Sequence, residues 1–247
     1  PLDRCIPYIY WQLETLRYLE VMSLIGARPF TLEPKFALTN TDIAASQQVL
    51  PEPDRPFVVI HPAVSDGRRR WPAEKFAAVG DRLADNGALI VLTGMATEQN
   101  TIGEVLESMS IPPINLCGRL SLSGLAGLFS RASLVVANDS GPLHLARAVG
   151  TRTVGIYWCG NFINAGTPNL ASNRCLLSWK LECPTCGENC IYSYCDHHDS
   201  FVEGVTIGEV TSAALELLNE INNSELFRRP LRSTSGQGRI RADEEIF

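Results

Sequence analysis

The 247-residue sequence holds no run of roughly 18 apolar residues, the least that a bilayer-crossing helix requires. Its apolar segment at residues 88–92 is far too short. There is no GxxxxGK[ST] run and no GxGxxG following an apolar strand, which sets aside the P-loop and the dinucleotide fingerprint, and with the latter an NAD-dependent enzyme. Positive charge is scarce: 21 Lys and Arg against 27 Asp and Glu give a formal charge of -6. Bulk electrostatics therefore offers nucleic acid no attraction, although a local basic spot can still hold one phosphate. No signal-peptide pattern is visible, and the first residue is Pro1 rather than Met. Eight cysteines, four of them crowded between Cys183 and Cys195, do not make a small disulfide scaffold; they suggest a cytosolic chain with one local site.

With 45% hydrophobic residues, the chain can build one sizeable core, or one core and a fragment. Residues 1–50 carry two helical patterns. One covers residues 10–25, with Leu13, Leu16, Leu19, Val21 and Leu24 at helical spacing. The other covers residues 43–50, after the capping run Thr39-Asn40-Thr41-Asp42. No strands accompany them, so this segment reads as the end of a domain otherwise absent, or as a wrap-around. Residues 51–56 are a Pro-rich linker. From Phe57 a regular rhythm sets in. Apolar runs at 57–60, 88–92, 114–116, 133–137 and 153–157 alternate with amphipathic helical stretches at 72–86, 97–109, 121–130 and 141–149. That alternation predicts an α/β fold, a doubly wound parallel sheet, whose ligands bind beyond the carboxyl ends of the strands. After Gly160 the rhythm breaks. A cysteine-rich insert (175–200) follows, with one further strand at 175–179, then a helix at 206–221; the expected domain is 57–222, and 223–247 reads as a loose charged tail.

Three strand-end loops carry the chemistry. The first, His61-Pro-Ala-Val-Ser-Asp-Gly-Arg-Arg-Arg-Trp-Pro72, places Arg68, Arg69 and Arg70 ahead of a helix N-terminus. Guanidinium forks and unsatisfied amides suit phosphate oxygens; the alternative is a solvated basic loop, and spacing does not say which arginine points inward. In the second loop, Thr93-Gly94-Met95-Ala96-Thr97-Glu98, Glu98 either caps its helix or accepts from a sugar hydroxyl. The third, Asn138-Asp139-Ser140-Gly141-Pro142-Leu143-His144, is the strongest local signal. Asp139 and Ser140 offer acceptors and a cap, Gly141 permits close backbone approach, and Pro142 suits a first helical turn. The amides of Ser140, Gly141 and Leu143 are expected to face the crevice, ready for a diphosphate. His144 is either a ligand contact or a hydrogen-bonded core histidine.

The cluster Cys183-x2-Cys186-x3-Cys190-x4-Cys195 has four thiols within 13 residues, followed by His197 and His198. Thiolates at this spacing suit a structural zinc. Free or disulfide-paired cysteines compete with that reading. An iron–sulfur cluster fits less well, because its spacing is tighter and ends in Cys-Pro.

His61-Pro-Ala with Arg70-Trp-Pro72, Leu92-Thr-Gly94-x-x-x-Glu98, Gly118-Arg-Leu-Ser-Leu122, Asn138-Asp-Ser-Gly-Pro-Leu-His144 and Gly150-Thr-x-Thr-Val-Gly-Ile-Tyr157 occur in this order. Together they resemble glycosyltransferase family 9, the lipopolysaccharide heptosyltransferase group, densely over residues 57–166. The resemblance implies the C-terminal, Rossmann-like half of a GT-B fold with a partial N-terminal domain at residues 1–50. It also implies an inverting transferase that needs no catalytic metal and draws on a nucleotide-sugar donor such as ADP-heptose. The acceptor would be a glycan or lipid-linked sugar. The place of action would be the cytoplasm, at the inner face of the membrane, with peripheral contact and no nucleic acid. By resemblance Asp139, Ser140, Gly141, Leu143 and His144 meet the donor, Arg69 takes the place of the family's basic phosphate contact (usually Lys), and Glu98 matches the acidic residue on the ribose. The family's catalytic aspartate lies in its N-terminal half and has no counterpart in this sequence. Two rival functions follow: a nucleotide-sugar hydrolase or epimerase, and a non-catalytic binding partner.

Overall fold

The computed structural model describes residues 3–228. In chain order the elements are α1 (Glu14–Ser23), α2 (Asn40–Val49), β1 (Phe57–His61), α3 (Ala73–Asp85), β2 (Leu89–Leu92), α4 (Gln99–Ser108), β3 (Ile114–Asn115), α5 (Leu122–Arg131), β4 (Leu134–Asn138), α6 (Gly141–Ala148), β5 (Thr153–Trp158), α7 (Cys159–Ala165), β6 (Asn173–Ser178) and α8 (Ile207–Arg228). The six strands form one sheet in the order β3-β2-β1-β4-β5-β6, every neighbouring pair parallel. Strand order reverses between β1 and β4, so a crevice opens beyond their carboxyl ends, at His61 and Asn138.

Both faces of the sheet are covered, which is why its strands read as unbroken apolar runs. Successive side chains alternate between faces. Val58, Ile60, Leu134, Val136, Val154 and Ile156 pack with α3, α4 and α8. Phe57, Val59, Val135, Ala137 and Tyr157 pack with α5 and α6. Several boundaries follow from local chemistry. Ser121 caps α5 through the amide of Gly124 at 3.1 Å, and Gly87 leaves α3 with φ +90, open only to a residue without Cβ penalty.

The N-terminal segment packs on this domain. Thr39 and Asp42 form a reciprocal capping box on α2, and α2 lies against α5 at Gly127. Phe36 donates its amide to the Ala148 carbonyl at 2.8 Å, and Arg131 reaches Ser46 at 3.1 Å. Two differences from the sequence reading stand out. α7, a seven-residue helix, falls where the rhythm reads as broken. α8 runs to Arg228, past the expected boundary at 222, while residues 229–247 of the expected tail lie outside the described residues.

Candidate functional site

The crevice at the switch point opens into a cleft of about 1350 Å³, walled by the loops after β1, β2, β4 and β5 and by parts of the N-terminal segment, including Glu14 and Glu33. Its floor is held by Asn138. This fully buried amide donates to the Pro62 carbonyl at 2.7 Å and accepts from the Trp71 amide at 3.1 Å. One side chain thus ties β4 to the loop after β1 and fixes where the arginine turn begins. The turn itself, Gly67–Arg69, is a single 3-10 turn capped by Asp66.

Asp139, 1% exposed, is the centre of the polar network. Arg69 Nη1 donates to its carbonyl at 2.9 Å and approaches its carboxylate at 3.5 Å. His144 Nε2 lies 3.2 Å from Oδ1, and Asn161 Nδ2 donates to Oδ2 at 3.3 Å. Of the three arginines, Arg69 is therefore the one turned inward. Arg68 is occupied by Asp66, its Nη2 2.7 Å from Oδ2. Arg147, one turn beyond His144 on α6, lines the same wall and donates to the Tyr157 hydroxyl. Burial pushes the Tyr157 phenol up, so it stays protonated.

Four buried polar atoms on this wall have no partner among the described residues: Arg69 Nε, Ser140 Oγ, Arg147 Nε and Asn164 Oδ1. A buried polar group left unpaired costs about 1–3 kcal/mol, and a bound polar ligand is one way of pairing it. Ser140 is the N-cap of α6 and does not bond its own helix, so its hydroxyl is free for the cleft. A Cβ added to Gly141 would meet nothing within 4 Å; the glycine borders open space.

Glu98 caps its own turn: Oε2 accepts from the Met95 amide at 2.7 Å and lies 4.0 Å from His61 Nε2. Burial pushes His61 down to about 4, so it is neutral at physiological pH and pairs with Thr93 Oγ1 at 3.0 Å. Glu98 nonetheless lines the cleft, so capping does not withdraw it from the site. Leu143 corrects an expectation. Its side chain is fully buried in the core beneath α6 and its amide is bonded to the Ser140 carbonyl at 3.1 Å; neither faces the crevice.

The structure adds Asn161, Asn164 and Arg147, which the sequence reading passed over. The two asparagines sit three apart on α7, hence on one helical face, directly after β5. The strand-end rule already used for the other loops would have pointed to them.

Beside the cleft, Cys183, Cys186, Cys195 and His197 bring one ligand atom each to within 4.8 Å of one another, a group that could hold a metal ion. Burial raises the Cys183 thiol, but the amides of Cys186 and Thr185 and hydrogen bonds with the Cys186 and Cys195 thiols outweigh it and bring it down to about 7. Cys190 is not in this group, a second correction. Its Sγ lies 3.8 Å from that of Cys195 and 3.6 Å from the Glu188 carbonyl, and the residue packs with Phe201 in a small apolar cluster. His197 takes the place expected for it.

Comparison with known proteins gives the family and the fold. The family model described as glycosyltransferase family 9 (heptosyltransferase) matches residues 6–193. Lipopolysaccharide heptosyltransferase 3 of Escherichia coli is 31% identical over 104 residues, 41% of this chain and 31% of that one. The lipopolysaccharide core heptosyltransferase OpsX of Haemophilus influenzae is 26% identical over 147 residues, 57% of this chain and 42% of that one. Among solved structures, a family 9 glycosyltransferase from Veillonella parvula superposes with a TM-score of 0.71 at 22% identity, over 85% of this chain and 60% of its own. The ADP-heptose lipopolysaccharide heptosyltransferase II of E. coli gives 0.63 at 21%, over 79% and 56%. The chain spans less than half the length of these curated relatives.

Proposed function

The chain belongs to glycosyltransferase family 9, and from that premise we propose that its cleft binds the diphosphate and sugar of a nucleotide-sugar donor of the ADP-heptose kind, for inverting, metal-independent transfer to a lipopolysaccharide-type glycan. The observation that carries this reading is that Arg69, Arg147 and His144 line one cleft together with the unpartnered Ser140 and Asn164 atoms, Ser140 at the N-terminus of α6 and Arg147 in its last turn. As the glycosidic bond breaks, negative charge grows on the departing nucleoside diphosphate. Donors fixed in advance where that charge develops lower the barrier. Asp139 does not itself face the phosphates as an anion. It is a positioning residue, holding Arg69, His144 and Asn161 in place. The free backbone amides at Ser140 and Gly141 add the helix-terminus field, and Glu98 presents its carboxylate to the ribose. The acceptor hydroxyl loses its proton to a base on the opposite face of the sugar, outside the residues named here.

Residues 57–222 act in this reading as the donor domain and residues 1–50 as the end of the acceptor side. No described helix is long and apolar enough to cross a membrane; we place the protein in the cytoplasm, in peripheral contact with the inner membrane face. The Cys183, Cys186, Cys195 and His197 group holds a structural zinc. Three thiols and an imidazole are a usual zinc donor set, and the edges of a zinc tetrahedron are about 3.7 Å, so the four atoms need little movement.

Calorimetric titration with ADP, UDP and GDP, without added divalent metal, tests the donor reading. Micromolar binding of ADP, weakened at least tenfold in Arg69→Ala, is expected. Absence of binding by all three nucleotides would overturn it.

A further inference from the structure

The cysteine knuckle is not packed at random on the domain: it touches two of the three elements that hold Asp139's partners, the arginine turn and α7. On one side it grips the arginine turn. The Phe201 amide donates to the Arg68 carbonyl at 2.8 Å, and Ser200 Oγ donates to the Arg70 carbonyl at 2.7 Å. The Arg68 guanidinium lies over the Tyr194 ring at 5.0 Å. At Gly67 the chain passes so close that an added Cβ would sit 3.1 Å from the His198 carbonyl oxygen. These bonds bracket Arg69, the residue between the two gripped carbonyls. On the other side the knuckle backs α7. Trp158 packs against Phe201 with ring centroids 5.2 Å apart and the planes tilted by 60°, and it donates to the Lys180 carbonyl at 2.6 Å. At Gly160 an added Cβ would lie 2.9 Å from Ile191. Asn161 follows immediately.

We propose that metal occupancy of the Cys183, Cys186, Cys195 and His197 group sets the affinity of the cleft for a nucleoside diphosphate, by fixing the Gly67–Arg70 turn and the start of α7. This rests on the donor-site and zinc readings above and goes beyond them by coupling the two. The coupling route is short. His197 is a ligand and His198 the residue against Gly67; Cys195 is a ligand and Tyr194 the residue against Arg68. Backbone bonds hold the hairpin at residues 182–193, with Cys183 N–H donating to the Glu188 carbonyl at 2.8 Å and Cys190 N–H to the Leu181 carbonyl at 3.0 Å. What the ion adds is the tie from that hairpin to Cys195 and His197, where the Cys190–Cys195 thiol contact at 3.8 Å and the Thr185–Asp199 bond at 2.7 Å otherwise serve. Without the ion the 194–201 segment loosens its hold on the two carbonyls, and Arg69 must be ordered by the ligand itself. Ordering a long side chain and its turn at the moment of binding lowers affinity. Coupling between two binding sites is reciprocal, so the nucleotide must tighten metal binding by the same factor.

The test measures ADP affinity by calorimetry on the full chain in two forms, zinc-loaded and stripped with a thiol-compatible chelator. It also measures zinc affinity by competition with a chromogenic chelator, with and without saturating ADP. About tenfold weaker ADP binding in the stripped protein, matched by about tenfold tighter zinc binding with ADP, is expected. The double variant Tyr194→Ala, Ser200→Ala keeps the metal ligands and the nucleotide contacts and weakens the seam, removing the Tyr194 contact with Arg68 and the Ser200 bond to the Arg70 carbonyl while the Phe201–Arg68 backbone bond stays. It should still bind zinc while the difference between its two forms narrows by at least half on a logarithmic scale, a result that general destabilisation by zinc loss would not produce; an undiminished difference overturns the route through the arginine turn. Equal ADP affinity in the loaded and stripped forms overturns the coupling and leaves the donor reading standing. No ADP binding in either form overturns both, and failure to take up zinc overturns the metal reading and the coupling with it.

Discussion

Asp139 shows how a carboxylate can serve an anion site without opposing it. Its oxygens are engaged by Arg69, His144 and Asn161, so in the proposed donor site its charge would serve to orient the cations and amides that meet the ligand. Gly141 plays a different part, because it borders the cleft while no protein atom occupies the place of its absent Cβ. Gly141→Ala should leave thermal stability unchanged or raise it by about 0.4–1 kcal/mol through the unfolded chain, yet weaken ADP binding because the methyl stands where the diphosphate would lie. Unchanged ADP affinity in that variant would show that the ligand does not approach α6 closely. His61 offers a prediction in pH. Its folded-state value of about 4 lies below the usual 6.5 or so of histidine. The unfolded chain therefore binds more protons between those limits, and stability must rise with pH across them. The contribution is complete above about pH 6.5 and declines as pH falls toward 4, by about 3 kcal/mol in all. Urea unfolding of wild type and His61→Gln at pH 7 and pH 4.5 should reveal it: the wild type loses more stability than the variant, and parallel losses would place the buried imidazole in a more polar setting.

α2 and α5 meet through a glycine. A Cβ at Gly127 would collide with the Asp42 carbonyl, and both helices are rigid, so one must move. Gly127→Ala should cost about 1–3 kcal/mol, read as a lower Tm, although alanine has the better helix propensity. A Tm at or above the wild-type value would mean that α2 does not dock there in solution. Nothing in the spacing of residues 39–50 announces this contact; it depends on two residues 85 positions apart, Asp42 and Gly127, meeting at one hydrogen-sized gap. The strands of the sheet, by contrast, were legible because they are buried on both faces, and the loops at their ends inherited that legibility. Arg69, Asp139, Ser140, Gly141, His144 and Glu98 all fall on the cleft for this reason. α7 was not legible: two turns are too few for a helical period to show, and its asparagines look like loop residues. The knuckle failed differently. Cysteine spacing suggested four thiols, but the chain doubles back through the Glu182–Asn189 bridge and Gly187 at φ +75. That turn leaves His197 beside Cys183, Cys186 and Cys195, while Cys190 shares the small apolar cluster with Cys183 and Phe201.

At the scale of the molecule, the cleft stores its cations in a chain of net charge -6, so attraction for a diphosphate is local to the loops after β1 and β4. Filling the cleft would pair the four orphaned atoms and join those loops to α7 and to the N-terminal segment. A ligand that binds only the folded state stabilises it by RT ln(1 + [L]/Kd), about 2.7 kcal/mol at a hundredfold excess over Kd. For a domain of this size each kcal/mol moves Tm by about 2–4 °C, so saturating ADP should raise Tm by about 5–10 °C. The same shift should shrink at least by half in Arg69→Ala at equal ADP concentration, since a tenfold weaker Kd removes about 1.4 kcal/mol. Asn138→Ala offers the contrast. It breaks the clamp between β4 and the arginine loop, leaves the Trp71 amide and Pro62 carbonyl unpaired, and should lower the Tm of the free protein by an amount equivalent to about 2–3 kcal/mol. If Arg69 acts on the ligand and Asn138 on the fold, the first variant changes the ADP-induced shift and barely moves the starting Tm, while the second lowers the starting Tm first. Differential scanning fluorimetry of both, with and without ADP, separates the two roles. Identical behaviour of the pair would mean that the arginine turn is held by the fold alone and contributes nothing to the ligand.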